Sequence, residues 1–521
     1  MRNKIIMNHR SACIGAFFLC AMTTFFAAAP ATAARPPNIV VILADDLGYG
    51  SVGCYGADPK LVRTPAIDRL AREGRRFTDA NTPSSVCSPT RYAVLTGRYC
   101  WRTSLKFGVV MDRTPLLIEP GRLTIPSMLK THGFATAAIG KWHLGFGAEG
   151  KKDYTRELTP GPLDVGFDYF YGLASNHGDP TGVYIENRRV AGLRDAPLDP
   201  NPPESPYGAK FLGLPAPQRE DEQVMSVLTD KAVGWIEKQK EREPFFLYFA
   251  PVAVHYPITP SDATRGTSAA GVYGDWIHEL DRSVGRILDA LDRCGLARDT
   301  LVVFTSDNGG ALPGGPRFAP QAQAIERGLA INGAWRDGKH SIYEGGFRVP
   351  FIARWPGRVP AGTACDETIS LVDLLATIAA VVGQPLPPAN QAAEDSYNVL
   401  PALLDADHAR PIRPFVIDHS AAGVFAIRQA GWKWIEGKPA RPPSNAGAKG
   451  VAAKAAGSHG DESGGRSKPE LFDLARDPAE TRDQLAVKQE RIAALSQLLD
   501  RFRRQGYSRP PSNAASEQAP R

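Results

Sequence analysis

Residues 38–44, Asn-Ile-Val-Val-Ile-Leu-Ala, are apolar at every position after the first and stop abruptly at Asp45-Asp46. A strand with one wet face alternates apolar and polar residues, whereas a strand covered on both faces is apolar throughout. The run therefore reads as a buried parallel strand. Residues 301–305, Leu-Val-Val-Phe-Thr, repeat the pattern and lead into Ser306-Asp307-Asn308. Residues 245–250 give another strand, with His255 just past its end. Residues 135–139 give a shorter one that ends at Gly140-Lys141-Trp142-His143, and 350–354 a further one.

Between these runs the apolar spacing becomes helical. Thr64-Pro65 opens a helix with Ile67, Leu70 and Ala71 on one face and Gly74 as its stop. Helices are also expected over 124–132, 220–238, 276–294 and 370–382. Strands alternating with helices predict an α/β domain over 34–400, with a large, mainly parallel sheet flanked by helices. Polar residues gather just after the strands, on the edge where such sheets place their sites. Short runs at 415–417, 424–428 and 432–435 read as antiparallel strands, and 487–503 as a helix. They predict a smaller C-terminal α+β subdomain over 401–507. Gly, Ala, Lys and Ser dominate 437–468, which is expected to be a flexible insertion, and 508–521 is expected to be a disordered tail.

The first 33 residues read as a signal peptide. Arg2, Lys4 and Arg10 precede a largely apolar stretch over 13–29, and Ala31-Thr32-Ala33 fits a signal-peptidase site. The expectation is export, to the periplasm or the exterior. No later stretch is apolar enough to cross a bilayer, so no stable membrane span is expected. Without this leader the formal charge falls from +6 to +3, too small to point to nucleic acid. Cys54, Cys87, Cys100, Cys294 and Cys365 lie beyond it and show neither zinc nor disulfide spacing.

Residues 85–98, SVCSPTRYAVLTGR, read as a loop entering a short helix. Pro89 suits the first turn and Gly97 can end the helix. Cys87 then sits at the N-terminus, where an anion is favoured, and Arg91 lies one turn on. Taken alone, Cys87 reads first as a buried structural cysteine. Asp45-Asp46 and Asp307-Asn308 follow two apolar strands and together offer four hard oxygen side chains, suited to calcium or magnesium. Each pair alone would also serve as a turn or cap. Lys141 and His143 are two residues apart, so in an extended segment they point the same way. Lys339 lies in Asp337-Gly338-Lys339-His340, ahead of Tyr343-Glu344-Gly345-Gly346-Phe347-Arg348-Val349-Pro350.

The Cys-x-Pro-x-Arg pattern at 87–91 closely resembles the signature of type I sulfatases, and Gly140-Lys141-Trp142-His143-Leu144-Gly145 resembles a second one. The resemblance runs from Pro37 to about residue 485, with the motifs in family order. It implies an alkaline-phosphatase-like fold. It implies that a maturation enzyme oxidises Cys87 to formylglycine, whose hydrate is the nucleophile. It implies one Ca2+ held by Asp45, Asp46, Cys87, Asp307 and Asn308, with Arg91 steadying the hydrate. Lys141, His143, His255 and Lys339 complete the implied catalytic set. His255, assisted by Lys339, would protonate the leaving alcohol, and His143 would drive release of sulfate. The implied substrate is a sulfate monoester of a carbohydrate or aryl alcohol, on a small molecule or a glycan. Two alternatives stand beside this reading: a phosphodiester or phosphonate monoester hydrolase of the same superfamily, and an inactive protein that binds sulfated glycans. Residues 176–179 and 184–217 are candidates for lining the pocket and read equally well as surface loops.

Overall fold

The computed structural model describes Met1 and residues 35–111, 114–150, 152–206, 208–240, 244–437 and 468–510. The leader after Met1 and nearly all of the expected insertion lie outside these residues. So does the tail from 511.

At the centre is β1 (Asn38–Ala44), buried at every position. The remaining strands of its sheet are β2 (Arg75–Phe77), β4 (Ala135–Lys141), β5 (Tyr169–Leu173), β6 (Ile185–Glu186), β7 (Arg189–Val190), β8 (Phe245–Ala250), β9 (Thr300–Ser306), β10 (Phe351–Arg354) and β11 (Thr363–Cys365). A two-residue β3 (Ala80–Asn81) pairs separately with β12 (Ile369–Ser370). The ten-stranded order is β11-β2-β10-β9-β1-β8-β4-β5-β6-β7. The inner run β9-β1-β8-β4-β5 is parallel throughout, as the continuous apolar runs predict. Reversal comes on both flanks, where β10 is antiparallel to β9 and β6 to β5.

The side chains of β1 alternate between two cores. Ile39, Val41 and Leu43 meet α2 (Cys87–Thr96), α3 (Ile125–Lys130), α7 (Leu374–Val381) and α8 (Leu400–Leu404) on one face. Val40, Ile42 and Ala44 meet α1 (Pro65–Glu73), α4 (Val224–Lys238), α5 (Val272–Arg293) and α6 (Ala319–Glu326) on the other. At about 25 cal/mol per Å² of apolar area, two fully buried faces make this strand a main source of the fold's stability.

The C-terminal part is a four-stranded antiparallel sheet, β13 (Val416–His419), β14 (Phe425–Gln429), β15 (Trp432–Ile435) and β16 (Glu470–Asp473), with α9 (Gln489–Gln505) across it. Leu495, Leu499 and Phe502 of α9 pack with Ile417, Ile427 and Trp434, and Ala93 of α2 joins the same cluster. Pro36–Arg521 forms one compact unit, so this sheet is built onto the main body.

Three expectations need correction. The boundary after residue 400 falls inside α8, because Ala402 and Leu403 bury themselves in the main core. The start of the expected tail is docked: Ser508 and Arg509 donate backbone N–H bonds to Glu394 O, and the Arg509 guanidinium donates to three more carbonyls. Residues 370–382 split into a 3-10 turn, Leu371–Asp373, and α7. Among the described residues, no helix is long and apolar enough to cross a membrane.

Candidate active site

Register builds the site. Ala44 of β1 pairs with Ser306 of β9, so Asp45-Asp46 and Asp307-Asn308 leave adjacent strands at one level. Asp307 N–H donates to Ala44 O at 3.1 Å, which extends the ladder by one step. Past β8, Asp45 N–H donates to Ala253 O and Val254 N–H to Asp45 O, at 3.0 and 2.6 Å, which brings His255 alongside. Ser306 Oγ accepts from Leu47 N–H and donates to Asn308 O, both at 2.9 Å, tying the two acidic turns together.

Cys87 is the first residue of α2, whose end is set by Gly97 at φ 65°. One turn on, Arg91 donates through Nε and Nη2 to Asp307 Oδ2 at 3.0 and 2.7 Å. Lys141 donates to both oxygens of Asp45, at 2.9 and 2.7 Å. Lys339 donates to Asp46 Oδ2 at 2.7 Å, and His255 Nε2 lies 3.7 Å from the same oxygen. Asp45, Asp46, Cys87 and His255 each offer a donor atom within 4.8 Å of the others. All ten residues expected at the site converge here, and every one is buried or nearly so.

Lys141 and His143 arrive by a route that strand alternation does not give. Lys141 ends β4, but His143 has φ 54° and lies off the strand. Its Nε2 is 3.1 Å from Val110 O, so Nε2 carries the proton. Its buried Nδ1 has no hydrogen-bond partner. His255 shows the other tautomer: Nδ1 donates to Tyr256 O at 2.5 Å, leaving Nε2 toward Asp46.

Burial dominates the electrostatics, and the charges then sort the groups. It pushes the Cys87 thiol up to about 11 although Lys141 and Lys339 pull it down. The unmodified thiol is therefore protonated near neutrality and a poor nucleophile. Burial, then Lys339, pushes His255 down to about 3, and burial with Lys141 and Arg91 holds His143 well below its usual value. Asp46 resists burial: Lys339, His255 and Lys141 hold its carboxyl below the ordinary range. Lys339 is held above its usual value against burial, chiefly by Asp46.

The donor set fits a hard divalent cation. Asn308 Nδ2 donates to Asp46 Oδ1 and to Gly309 O, yet its buried Oδ1 has no partner. An unpaired amide oxygen beside three carboxylates suits calcium or magnesium better than a softer metal. Asp45, Asp46 and Asp307 already face Arg91, Lys141 and Lys339. A dication would tip that even balance toward binding an anion.

Some supporting residues give no sequence signal. Asn332 donates to Gly310 O and Asp337 O and accepts from Gly310 N–H, fixing the turn before Lys339. A lone asparagine outside any motif is indistinguishable from an ordinary loop residue. His340 is exposed, with φ 78°, and donates its N–H to Ser85 O at 2.9 Å. In the expected pocket-lining segment, His177 is instead a buried histidine bonded to Thr259 Oγ1.

A mainly parallel sheet with two acidic turns at its strand ends, and Cys87 opening a helix beside them, is the arrangement expected of the alkaline phosphatase superfamily, and the comparisons with known proteins place the chain there. The family model for Sulfatase matches residues 37–384. An N-acetylgalactosamine-6-O-sulfatase of Bacteroides thetaiotaomicron is 36% identical, over 89% of this chain and 93% of that protein. Human arylsulfatase A is 34% identical, over 90% and 88%. A solved structure from work on glycosaminoglycan metabolism by Bacteroides thetaiotaomicron superposes with a TM-score of 0.79 at 33% identity, covering 90% of this chain and 99% of that one. A phosphonate monoester hydrolase of Agrobacterium radiobacter, at 17% identity and a TM-score of 0.57 over 90% and 96%, shares the fold alone. The chain belongs to the sulfatase family, and within it is a type I sulfatase.

Proposed function

We propose that this sulfatase hydrolyses the 6-O-sulfate of an N-acetylated amino sugar in a sulfated glycan, using an aldehyde generated at position 87. The observation that carries the chemistry is Cys87 at the start of α2, within 4.8 Å of the donor atoms of Asp45, Asp46 and His255 while its own thiol is kept protonated. A nucleophile position this well surrounded, bearing a group too weakly acidic to attack, calls for chemical conversion. Support for the sugar comes from the 36% identical N-acetylgalactosamine-6-O-sulfatase, which aligns over nearly its whole length.

In this reading a maturation enzyme converts Cys87 to formylglycine, and Sγ stands where the two hydroxyls of the hydrate would lie. Arg91 orients one hydroxyl and Asp307 takes its proton. The oxygen–sulfur bond forms as the sulfur–alcohol bond breaks. Lys339 and His255 deliver the proton that the leaving alkoxide needs. Because His255 is neutral in the free enzyme, the negative charge of the substrate must first raise its affinity for a proton. The free Nδ1 of His143 then takes the proton of the second hydroxyl. The carbon–sulfate bond breaks, sulfate departs and the aldehyde returns. Asp45, Asp46, Asp307 and Asn308 would hold Ca2+, which supplies Lewis-acid stabilisation of charge on oxygen. Export is part of the proposal, supported by the basic and then apolar sequence of residues 1–33.

The test is sulfate release by purified protein from 6-O- and 4-O-sulfated N-acetylgalactosamine, 6-O-sulfated N-acetylglucosamine and nitrophenyl sulfate, with mass analysis of the peptide containing position 87. The expected result is fastest release from a 6-O-sulfated amino sugar and an aldehyde mass at position 87. Turnover confined to nitrophenyl sulfate would refute the substrate. Full activity with an unmodified thiol would refute the nucleophile.

A further inference from the structure

The C-terminal sheet places no side chain among the reacting groups, yet a buried charge on it and another just beyond its last strand grip the segment that carries Lys339. Lys433, on β15, lies 3.0 Å from Glu344 Oε1 and 2.9 Å from Glu480 Oε1. All three side chains are fully buried. Glu480 follows β16; its Oε2 accepts from Glu344 N–H at 2.6 Å, and its backbone carbonyl accepts from Arg336 Nη1 at 2.7 Å. Arg336 and Glu344 bracket Lys339 in sequence, and Gly345 N–H donates to Arg336 O at 2.8 Å. The segment is thus a closed loop fastened at its neck to Glu480. Toward its tip, Lys339 N–H donates to Gly310 O at 3.1 Å and its ammonium to Asp46 at 2.7 Å.

The same sheet steadies the loop that leads to Cys87. The carbonyl of His419, at the end of β13, accepts from Ser84 Oγ at 2.8 Å and from Ser85 N–H at 3.4 Å. Ser85 O in turn accepts from His340 N–H, which joins the two loops.

The geometry points to Glu480 and Lys433 as positioning residues for Lys339, forming a clamp through which the C-terminal sheet sets where the Lys339 ammonium lies. A docking role alone does not explain them. Buried ion pairs seldom outperform apolar packing in stability, because desolvation offsets their attraction. What such a pair adds is a fixed register. Lysine needs that help, since its flexible stem lets the ammonium wander unless the backbone beneath it is held.

The inference rests on the sulfatase reading above and is tested by a double-mutant cycle. Glu480→Gln is made in the parent and in Lys339→Ala. kcat/KM is measured on the best sulfate ester, alongside thermal midpoint and aldehyde content at position 87. The clamp predicts a loss on the order of 10- to 100-fold in the parent and under about 2-fold in Lys339→Ala, at equal aldehyde content. Lys433→Arg should retain most activity where Lys433→Met does not. If Glu480→Gln fails to fold, Arg336→Gln, at a half-buried residue, takes its place in the same cycle. Equal fractional losses in both backgrounds, or no loss in the parent, would overturn the clamp. A crystal structure of the variant gives a readout independent of turnover: Lys339 Nζ should leave Asp46, and an unmoved ammonium overturns the inference. An inactive parent protein would count against the sulfatase reading, and that crystal structure would still decide the clamp.

Discussion

His143 and His255 each give one ring nitrogen to a backbone carbonyl, and the choice of nitrogen differs. His143 spends Nε2 on Val110 and keeps Nδ1 free; His255 spends Nδ1 on Tyr256 and turns Nε2 toward Asp46. If His255 protonates the leaving group, its loss should matter most where that group is a poor one. His255→Ala should slow a sugar sulfate by about 10²–10⁴-fold while slowing a nitrophenyl sulfate far less. Comparing kcat/KM for the two esters checks this, and equal losses would leave Lys339 as the donor. The places of Asp45 and Asp46 after one apolar run, Asp307 and Asn308 after another and Cys87 before Pro89 were legible from strand ends and a helix start, while only the resemblance to family motifs singled them out as candidate site residues. Ser306 and Asn332 were not legible. They act through bonds to backbone groups from separate stretches of chain, and nothing local marks a residue for that role.

Strands with two buried faces were readable as elements, and strands at the sheet's flanks were not. β2 reads Arg-Arg-Phe and carries no apolar run, because Arg75 at this flank can reach out to Asp405. β6 and β7 are two residues each, too short for any period to register. Between β4 and β8, the fit is close enough to make a test. Gly140 has φ 118°, and a Cβ there would lie 2.0 Å from Ala250 O. Lys141 is the next residue. Gly140→Ala must therefore push β4 away from β8 and draw Lys141 off Asp45. The expected cost is about 2 kcal/mol or more, seen as a lower thermal midpoint, together with a fall in kcat/KM. An unchanged midpoint would mean the strand end yields more easily than its packing implies.

Across the whole molecule, a group of charges, buried except for a partly exposed Asp79, joins the main sheet's flank to the C-terminal sheet. Asp79 pairs with Arg348 and, from β14, with Arg428 at 3.0 Å, while Arg428 also reaches Glu344 at 3.1 Å. Burial would raise the Asp79 carboxyl, but Arg348 and Arg428 overcome it and hold it at about 2, below the ordinary carboxylate range. A carboxyl whose folded value is depressed stabilises the protein fully above its unfolded value. It loses that contribution as pH falls through the folded value. The window is therefore roughly pH 4 down to 2, and the contribution of order 2 kcal/mol. Arg428→Gln should lower stability more near pH 7 than at pH 3, where protonation of Asp79 already removes part of the contribution in the parent, measured by denaturant unfolding followed by circular dichroism at both pH values. A parallel shift at every pH would show that Arg428 acts by packing alone.

Cys87 is 2% exposed, at the first turn of a helix packed into the main core. Its neighbours are recruited from far along the chain: Asn308 meets Asp46 across 262 residues, and Lys339 meets it across 293. No visiting enzyme can take hold of residues 85–91 once those contacts have closed. On the proposed chemistry, the oxidation of Cys87 is thus a deadline event, to be completed on a nascent or unfolded chain. Contacts of such long range also form slowly. The topology that hides the thiol in the end is the one that leaves it open for longest.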